Sequence, residues 1–358
     1  MADFIVIGGG IAGVSAAAQL SKLGTVTVLE MEDALGYHAS GRSAALFEPN
    51  YGNTSTVALS RASADHFCHA NGGYLTPRGL MLLATADQTK QFATDLKELD
   101  LQEISLDDAI NRVPILNHKT VAAAAFHDIA LDIDTDRLIQ DFARMIRANG
   151  GTTQTKTVVT SITSTDDGWQ VSAGEKTYQA KVLINAAGAW VDQIAELAGV
   201  APIGIQPLRR SMAQLPAPDG HDVSSWPMML GAGEGWYAKP EAGKLLVSPA
   251  DTDLMTPHDA FADDMVLAEG LARYEEMVSA PVTRVENNWA GLRSFSPDKA
   301  LVLGPDPTVS NFFWCAAQGG FGFQTAPAAG RLLADLVAGR KPELDTGVLA
   351  QLSPERFH

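Results

Sequence analysis

The sequence predicts an α/β protein, and three observations predict it. Residues 4–7 are a continuous apolar run followed at once by Gly8, Gly10 and Gly13. A helix-compatible stretch and a second apolar run then lead to Glu30. Similar buried runs return at Val182 and Phe312, each followed by glycines. A continuous apolar run suits a parallel strand covered on both faces. The sheet begun at the N-terminus is therefore completed by middle and C-terminal segments, as a discontinuous Rossmann-like domain.

Phe4–Ile7 reads as the first strand. In the G-x-G-x-x-G that follows, Gly8 permits a tight turn, Gly10 lets backbone approach a pyrophosphate, and Gly13 lets helix and strand pack closely. The helix is rich in alanine and is expected to stop at Gly24 as its C-cap. Thr25–Leu29 reads as the second strand, closed by Glu30, a residue placed to accept hydrogen bonds from a ribose. Its charge disfavours NADP but does not separate NAD from FAD. The free amides of the helix N-terminus suit phosphates.

Gly36–Gly52, with Gly41, Arg42, Ser43 and Ala44 at its centre, reads as a polar loop suited to phosphates or to a solvated surface. Residues 54–70 look helical; His66 and His69 with Asp65 and Cys68 read as a solvated helix face rather than a metal site. A turn and strand follow at 75–85, then helices at 87–99 and 106–113. Asp134 or Thr135 caps a helix to Asn149, with Gly150 after it. Strands are expected at 157–162, 169–173, 177–180 and 182–190, the last ending in a glycine turn. Residues 205–292 alternate strands and turns around one helix at 263–278. Phe312–Ala317 is a buried strand, and Pro327 is placed in the first turn of a closing helix that runs to Val337.

The chain has 358 residues, 46% of them hydrophobic, and a formal charge of −16. Its length suits two domains. The acidity disfavours nucleic acid and anionic membranes. No apolar stretch is long enough to span a bilayer. Cys68 and Cys315 are the only cysteines, which points to reduced thiols and a cytoplasmic setting.

The stretches "VIGGGIAGVSAAAQLSKLGTVTVLE", "GYHASGRSAA", "VLINAAGAW", "WAGLRSFSPDKALVLGP" and "AAQGGFGFQTAP" occur in order over nearly the whole chain. Together they resemble the FAD-dependent D-amino acid oxidase superfamily, and within it bacterial D-amino acid dehydrogenases of the D-arginine type. The resemblance implies noncovalent FAD. It implies an FAD-binding domain from residues 1–50, 150–200 and 293–358, and an α+β substrate domain from 51–149 and 201–292, built on a mixed, largely antiparallel sheet. For the cofactor it implies Gly8, Gly10, Ile11, Ala12, Gly13 and Glu30 at the pyrophosphate and ribose. Gly41, Arg42, Ser43 and Ala44 would line the flavin and diphosphate, Val159 would meet the adenine, and Ala187, Gly188 and Trp190 would pass close by. Gly319, Gly320, Gly322, Phe323 and Gln324 would meet the flavin, with Arg293 beside it. Cys315, inside an apolar strand, reads as core rather than a flavin attachment point.

For the substrate it implies an amino acid whose carboxylate is held by Arg210 and Arg293, with Arg209 as rival for Arg210. Arginine grips a carboxylate bidentately. Tyr237 would donate to the carboxylate and Tyr51 would cover the substrate. The Gly291 carbonyl and Gln324 amide would receive the amine. Leu46 and Leu80 stand where a histidine and an acidic residue would be expected, so a cationic side chain is disfavoured. With Met228 nearby, this implies a smaller or more apolar pocket. The expected activity is oxidation of a D-amino acid to its imino acid by a dehydrogenase with a quinone or other acceptor. The alternative donors are glycine, sarcosine, a secondary amine such as hydroxyproline, or a 2-hydroxy acid. A cytoplasmic monomer is expected, with peripheral attachment at the inner membrane as the variant.

Overall fold

A computed structural model of the chain describes residues 1–357. The strands fall into two eight-stranded sheets and one three-stranded sheet. In the first, five strands run parallel in the order Thr152–Gln154, Val26–Leu29, Ala2–Ile7, Lys176–Asn185 and Phe312–Ala316. Val302–Pro305 closes the edge antiparallel to the last. Ile5 and Val6 are fully buried on opposite faces, as the continuous apolar run requires.

Helix Ile11–Leu20 packs on one face of this sheet against helix Gly322–Val337. Small residues allow the close approach: Ala16, Ala17 and Ala18 are buried, and a Cβ on Gly330 would lie 2.7 Å from the Ser15 carbonyl oxygen.

The second sheet has the order Asn287–Phe295, Gln206–Pro216, Lys244–Ser248, Tyr237–Glu241, Met228–Gly231, Leu80–Ala84, Ala123–His127 and Gln102–Ile104. Its one parallel pair among the described residues joins Met228–Gly231 to Leu80–Ala84. It is thus the mixed, largely antiparallel sheet the sequence implied. Alternation sends Met81, Leu83 and Met229 into a core with Trp226, Trp236 and Tyr274. Leu80, Leu82, Leu230 and Tyr237 go to the opposite face, which faces the ligand cavities. The small sheet Leu46–Phe47, Leu131–Ile133 and Leu75–Pro77 lies between the large ones in sequence and carries the loop that follows Gly41.

Several expectations are corrected. The runs at 177–180 and 182–190 are one strand, Lys176–Asn185. Its first half pairs antiparallel with Gly168–Ala173 and its second half parallel with Phe312–Trp314, so a single strand carries two patterns. The strand expected at 157–162 begins only at Ser161. Residues 157–159 instead cross the end of the first sheet, where Thr157 N donates to Glu30 O at 2.8 Å. The first helix ends at Leu20 with Ser21 as its C-cap. Gly24 is needed for a different reason: a Cβ there would lie 2.6 Å from the Asp3 carboxylate. The closing helix starts at Gly322, so Pro327 sits inside it rather than in its first turn. His66 is not on a solvated face but is stacked between Tyr74 and Phe142, with ring centroids 5.7 and 5.6 Å away. Burial lowers its pKa. No helix among the described residues is long and apolar enough to cross a membrane.

Candidate active site

A cleft of ≈ 400 Å³ opens at the C-terminal ends of the parallel strands. Its floor is shaped by glycines whose side chains would collide. Gly8 has φ +107°, and a Cβ there would lie 2.3 Å from the Ala186 carbonyl oxygen; one on Gly13 would lie 1.9 Å from the Gly8 carbonyl oxygen. Gly13 therefore acts from beneath and does not line the cleft itself. At Gly10 a Cβ would meet only Ser40 Oγ, at 3.3 Å, so this side stays open. Helix Ile11–Leu20 starts there without a side-chain cap. Ile11 N donates to Ser40 Oγ at 3.0 Å, and the helix's positive end with its remaining first-turn amides faces the cleft, an arrangement that binds phosphate.

Glu30 closes the cleft at one end. Its carboxylate accepts from Gly9 N at 2.6 Å and Glu32 N at 2.9 Å, which fixes its orientation. From Glu30 and Val159 the cleft passes Gly10, Ile11 and Ala12, then Arg42, Ser43 and Ala44 on one side and Ala187, Gly188 and Trp190 on the other. It ends at Gly319, Gly320, Gly322 and Phe323 with Arg210, Tyr237 and Arg293. Gly41 is not part of the lining; it turns the chain, where a Cβ would lie 2.5 Å from Gly36 O. Arg42 reaches the cleft, but its guanidinium is engaged elsewhere: it donates to Ala260 O and Ala290 O, both at 2.8 Å, and pairs with Asp259. It ties the 259–260 segment across the cleft rather than offering a free charge to a diphosphate.

The glycine floor, the helix N-terminus facing the cleft and the fixed carboxylate fit a dinucleotide. The extension to a second uncapped helix, Gly322–Val337, fits one with a further ring system. Cys315 is fully buried, and burial pushes its thiol up to about 12. An unreactive thiol of this kind offers no attachment point for a flavin.

At the far end the adjacent arginines separate. Arg209 is bound by Asp251 at 3.0 Å and Asp253 at 2.6 Å. Arg210 turns into the cleft, its Nε donating to Asp251 O at 3.0 Å. Burial first, and then the nearby Arg293, lower its pKa. Among the described residues Arg293 has no ion-pair or hydrogen-bond partner, and neither has the Tyr237 hydroxyl. The Arg293 guanidinium packs close to Gly320, where a Cβ would be 3.1 Å from it. Among the described residues no carboxylate ion-pairs directly with either guanidinium, an arrangement of two partly desolvated cations that is costly unless a ligand supplies the counter-charge.

A second cavity of ≈ 100 Å³ adjoins the cleft and shares Ser43, Ala44, Tyr237, Arg293 and Gly320 with it. Leu46, Leu80, Leu99, Met228 and Leu230 form its apolar wall. Tyr51 and Gln324 lie here, not in the cleft. Both ends of the Gln324 side chain are occupied, accepting from Glu48 N at 3.2 Å and donating to Tyr51 O at 3.3 Å. It therefore holds the 48–51 loop to the closing helix. Tyr51 Oη donates to Glu234 Oε1 at 2.8 Å at the cavity's edge. Burial, and then the Glu234 charge, raise the Tyr51 pKa, so it remains a donor.

Sequence reasoning missed three charged residues of this region. Glu234 and Glu48 line the small cavity. Lys239, 3% exposed, donates to Ala44 O at 2.8 Å and Ala45 O at 3.3 Å, and pairs with Glu241 at 3.1 Å. It pins the segment shared by both cavities. Only Glu48 carried a readable signal, its two-residue spacing from Leu46.

The family model described as FAD dependent oxidoreductase matches residues 3–336. The chain belongs to this family. It is an FAD-dependent oxidoreductase, and FAD is the guest that the cleft fits. Its fold is similar to that of glycine oxidase from Geobacillus kaustophilus, with a TM-score of 0.82 over 98% of both chains at 22% identity. In sequence it is 23% identical to the glycine oxidase of that organism, over 96% of this chain and 94% of the relative. It is also 24% identical to the mitochondrial dimethylglycine dehydrogenase of Rattus norvegicus, over 99% of this chain but only 45% of that longer protein. Similarity to the D-amino acid dehydrogenase of Xanthobacter autotrophicus is 41% but spans 69 residues, 19% of this chain. The resemblance to the flavin superfamily therefore holds across the chain, whereas its D-amino acid dehydrogenase branch is not specifically supported.

Proposed function

We propose that this oxidoreductase oxidises the C–N bond of a small amino acid, namely glycine or an N-methylated glycine. The observation that carries this reading is the Arg210–Arg293 pair, free of ion-pair partners, beside a cavity of only ≈ 100 Å³ with one leucine-rich wall. The names of the two long-matching relatives support it. Bound FAD supplies the two-electron acceptor for the Cα hydride. The chain's own residues do the placing: Arg210 and Arg293 hold the substrate carboxylate, and Tyr237 donates to it. Tyr51, latched to Glu234, covers the substrate. Fixing the Cα–H in this way matters because displacements of about 1 Å cost on the order of a hundredfold in rate. The uncapped start of helix Gly322–Val337 favours negative charge at that end of the cleft. The imine product leaves and hydrolyses in water.

The second reading is a D-amino acid with a small apolar side chain, handled by a dehydrogenase that passes electrons to a quinone. The 69-residue match favours it. Anaerobic mixing of the yellow holoenzyme with substrates separates the two. Bleaching by glycine, sarcosine or N,N-dimethylglycine, with weak response to D-alanine and D-valine, is expected. Fast bleaching by D-amino acids alone would favour the second reading, and bleaching by none of these would overturn both.

A further inference from the structure

The small cavity holds a carboxylate with no role so far. Glu48 is 3% exposed and lines the cavity together with Arg293, Tyr237 and Gln324. It follows strand Leu46–Phe47, and the two-residue alternation puts it on the side of Leu46, which lines the cavity, and opposite Phe47, which is in the core. Its Oε1 accepts from Asn50 N at 3.0 Å. Its Oε2 lies 3.1 Å from Nε2 of His127, which is 9% exposed. His127 stands directly opposite Leu80 in the sheet, on the same face. Yet neither Glu48 Oε2 nor either His127 ring nitrogen has a well-directed hydrogen bond among the described residues. Buried polar groups of this kind normally have partners.

The charges explain the vacancy in the hydrogen bonding. A zwitterionic amino acid brings one carboxylate and one ammonium. Arg210 and Arg293 answer the carboxylate, and an ammonium beside two guanidinium groups needs a counter-charge of its own. Leu46, Leu80, Leu99, Met228 and Leu230 cannot provide it, and the other carboxylate of the cavity, Glu234, already holds the Tyr51 hydroxyl at 2.8 Å.

We propose that Glu48 is the amine-binding residue, and that His127 positions its carboxylate from behind. This rests on the reading that the cavity takes an amino acid. With the carboxylate fixed at one end and the amine at the other, Cα can present only one of its faces to the cofactor cleft.

The test uses two probes that cannot be oxidised at Cα–N: 2-aminoisobutyrate, which has no Cα hydrogen, and isobutyrate, its analogue without the amine. Binding to the FAD-loaded enzyme is measured by calorimetry. Glu48→Gln should weaken 2-aminoisobutyrate about tenfold or more and leave isobutyrate within about twofold, the latter showing that the variant is folded and loaded. His127→Asn should show the same selectivity to a smaller degree, and Glu48→Asp should recover part of the loss. Equal weakening of both probes, or no change in either, overturns the assignment while leaving the proposed function standing. If neither probe binds the wild-type holoenzyme this inference fails, while bleaching by glycine and its N-methyl forms still decides the proposed function.

Discussion

Arg210 and Arg293 are diagonal neighbours on one face of an antiparallel strand pair. Arg210 stands opposite Gly291, and Arg293 opposite Leu208. Like charges placed this way repel unless an anion lies between them. Arg209, one residue away, faces the other side and is neutralised by Asp251 and Asp253.

Arg210→Met and Arg293→Met should each lower kcat/KM for an amino acid by about a hundredfold or more, because a charge-assisted bidentate contact is lost. Arg209→Gln should behave differently. It strips partners from Asp251, which also accepts from Ser211 N at 2.6 Å, so it should lower the melting temperature with little change in KM. Steady-state kinetics and thermal melts on the three variants distinguish these outcomes.

The Tyr51–Glu234 bond acts at the edge of the small cavity. Because the Tyr51 hydroxyl stays protonated and Glu234 offers a charged acceptor, the contact is worth about 1–2 kcal/mol. Tyr51→Phe should raise KM several-fold and speed release of a bound carboxylate. Stopped-flow displacement of isobutyrate measures this. An unchanged release rate would remove the covering role.

The glycine floor makes a separate prediction. Gly8→Ala and Gly13→Ala drive a Cβ into backbone oxygen at 2.3 and 1.9 Å, so both proteins should purify colourless or bind added FAD at least roughly a hundredfold more weakly. Gly235→Ala is the control, since a Cβ there meets nothing within 4 Å. It should remain yellow.

Asp3 sets an acid limit. It is held by Lys181 Nζ at 2.8 Å and by Thr25 N at 2.8 Å. The Lys181 bond, and then the Thr25 amide, bring its pKa from 3.8 to about 2. A lowered folded-state pKa stabilises the fold above the unfolded value and loses that effect as pH falls through the folded one. Asp3→Asn should therefore be less stable by about 1 kcal/mol at pH 7. The gap should close between pH 3.8 and about 2. Urea unfolding at pH 7, 4 and 2.5 follows it.

The strand–glycine–helix unit was legible because its local pattern and its ligand chemistry coincide: Gly8 and Gly13 are demanded by nearby backbone oxygens, and Gly10 leaves the side open to the ligand. The helices Thr54–His69, Leu106–Arg112 and Thr135–Ala148 were legible locally, the last of them from its cap at Asp134. The double use of Lys176–Asn185 was not, since which neighbour a strand takes at each end depends on distant segments. The early start of the closing helix at Gly322 was hidden because glycine and proline weigh against a helix locally, while packing on Ile11–Leu20 outweighs them. Arg210 could not be told from Arg209 by composition; only strand alternation in the folded sheet separates them. Glu48 and Glu234 reach the small cavity from distant parts of the chain, His127 backs Glu48 from a third and Lys239 pins the Ala44–Ala45 segment from a fourth, relations that only the folded chain creates.

The apolar wall of the small cavity comes from Leu46, Leu80, Leu99, Met228 and Leu230, whereas the cofactor floor comes from Gly8, Gly10 and Gly13. Few of these residues answer to both demands. A lineage can exchange one leucine for a bulkier or smaller neighbour and acquire a new diet while its redox apparatus is inherited intact. Divergence of substrate among descendants of such a scaffold needs no redesign of the fold, only drift along one wall.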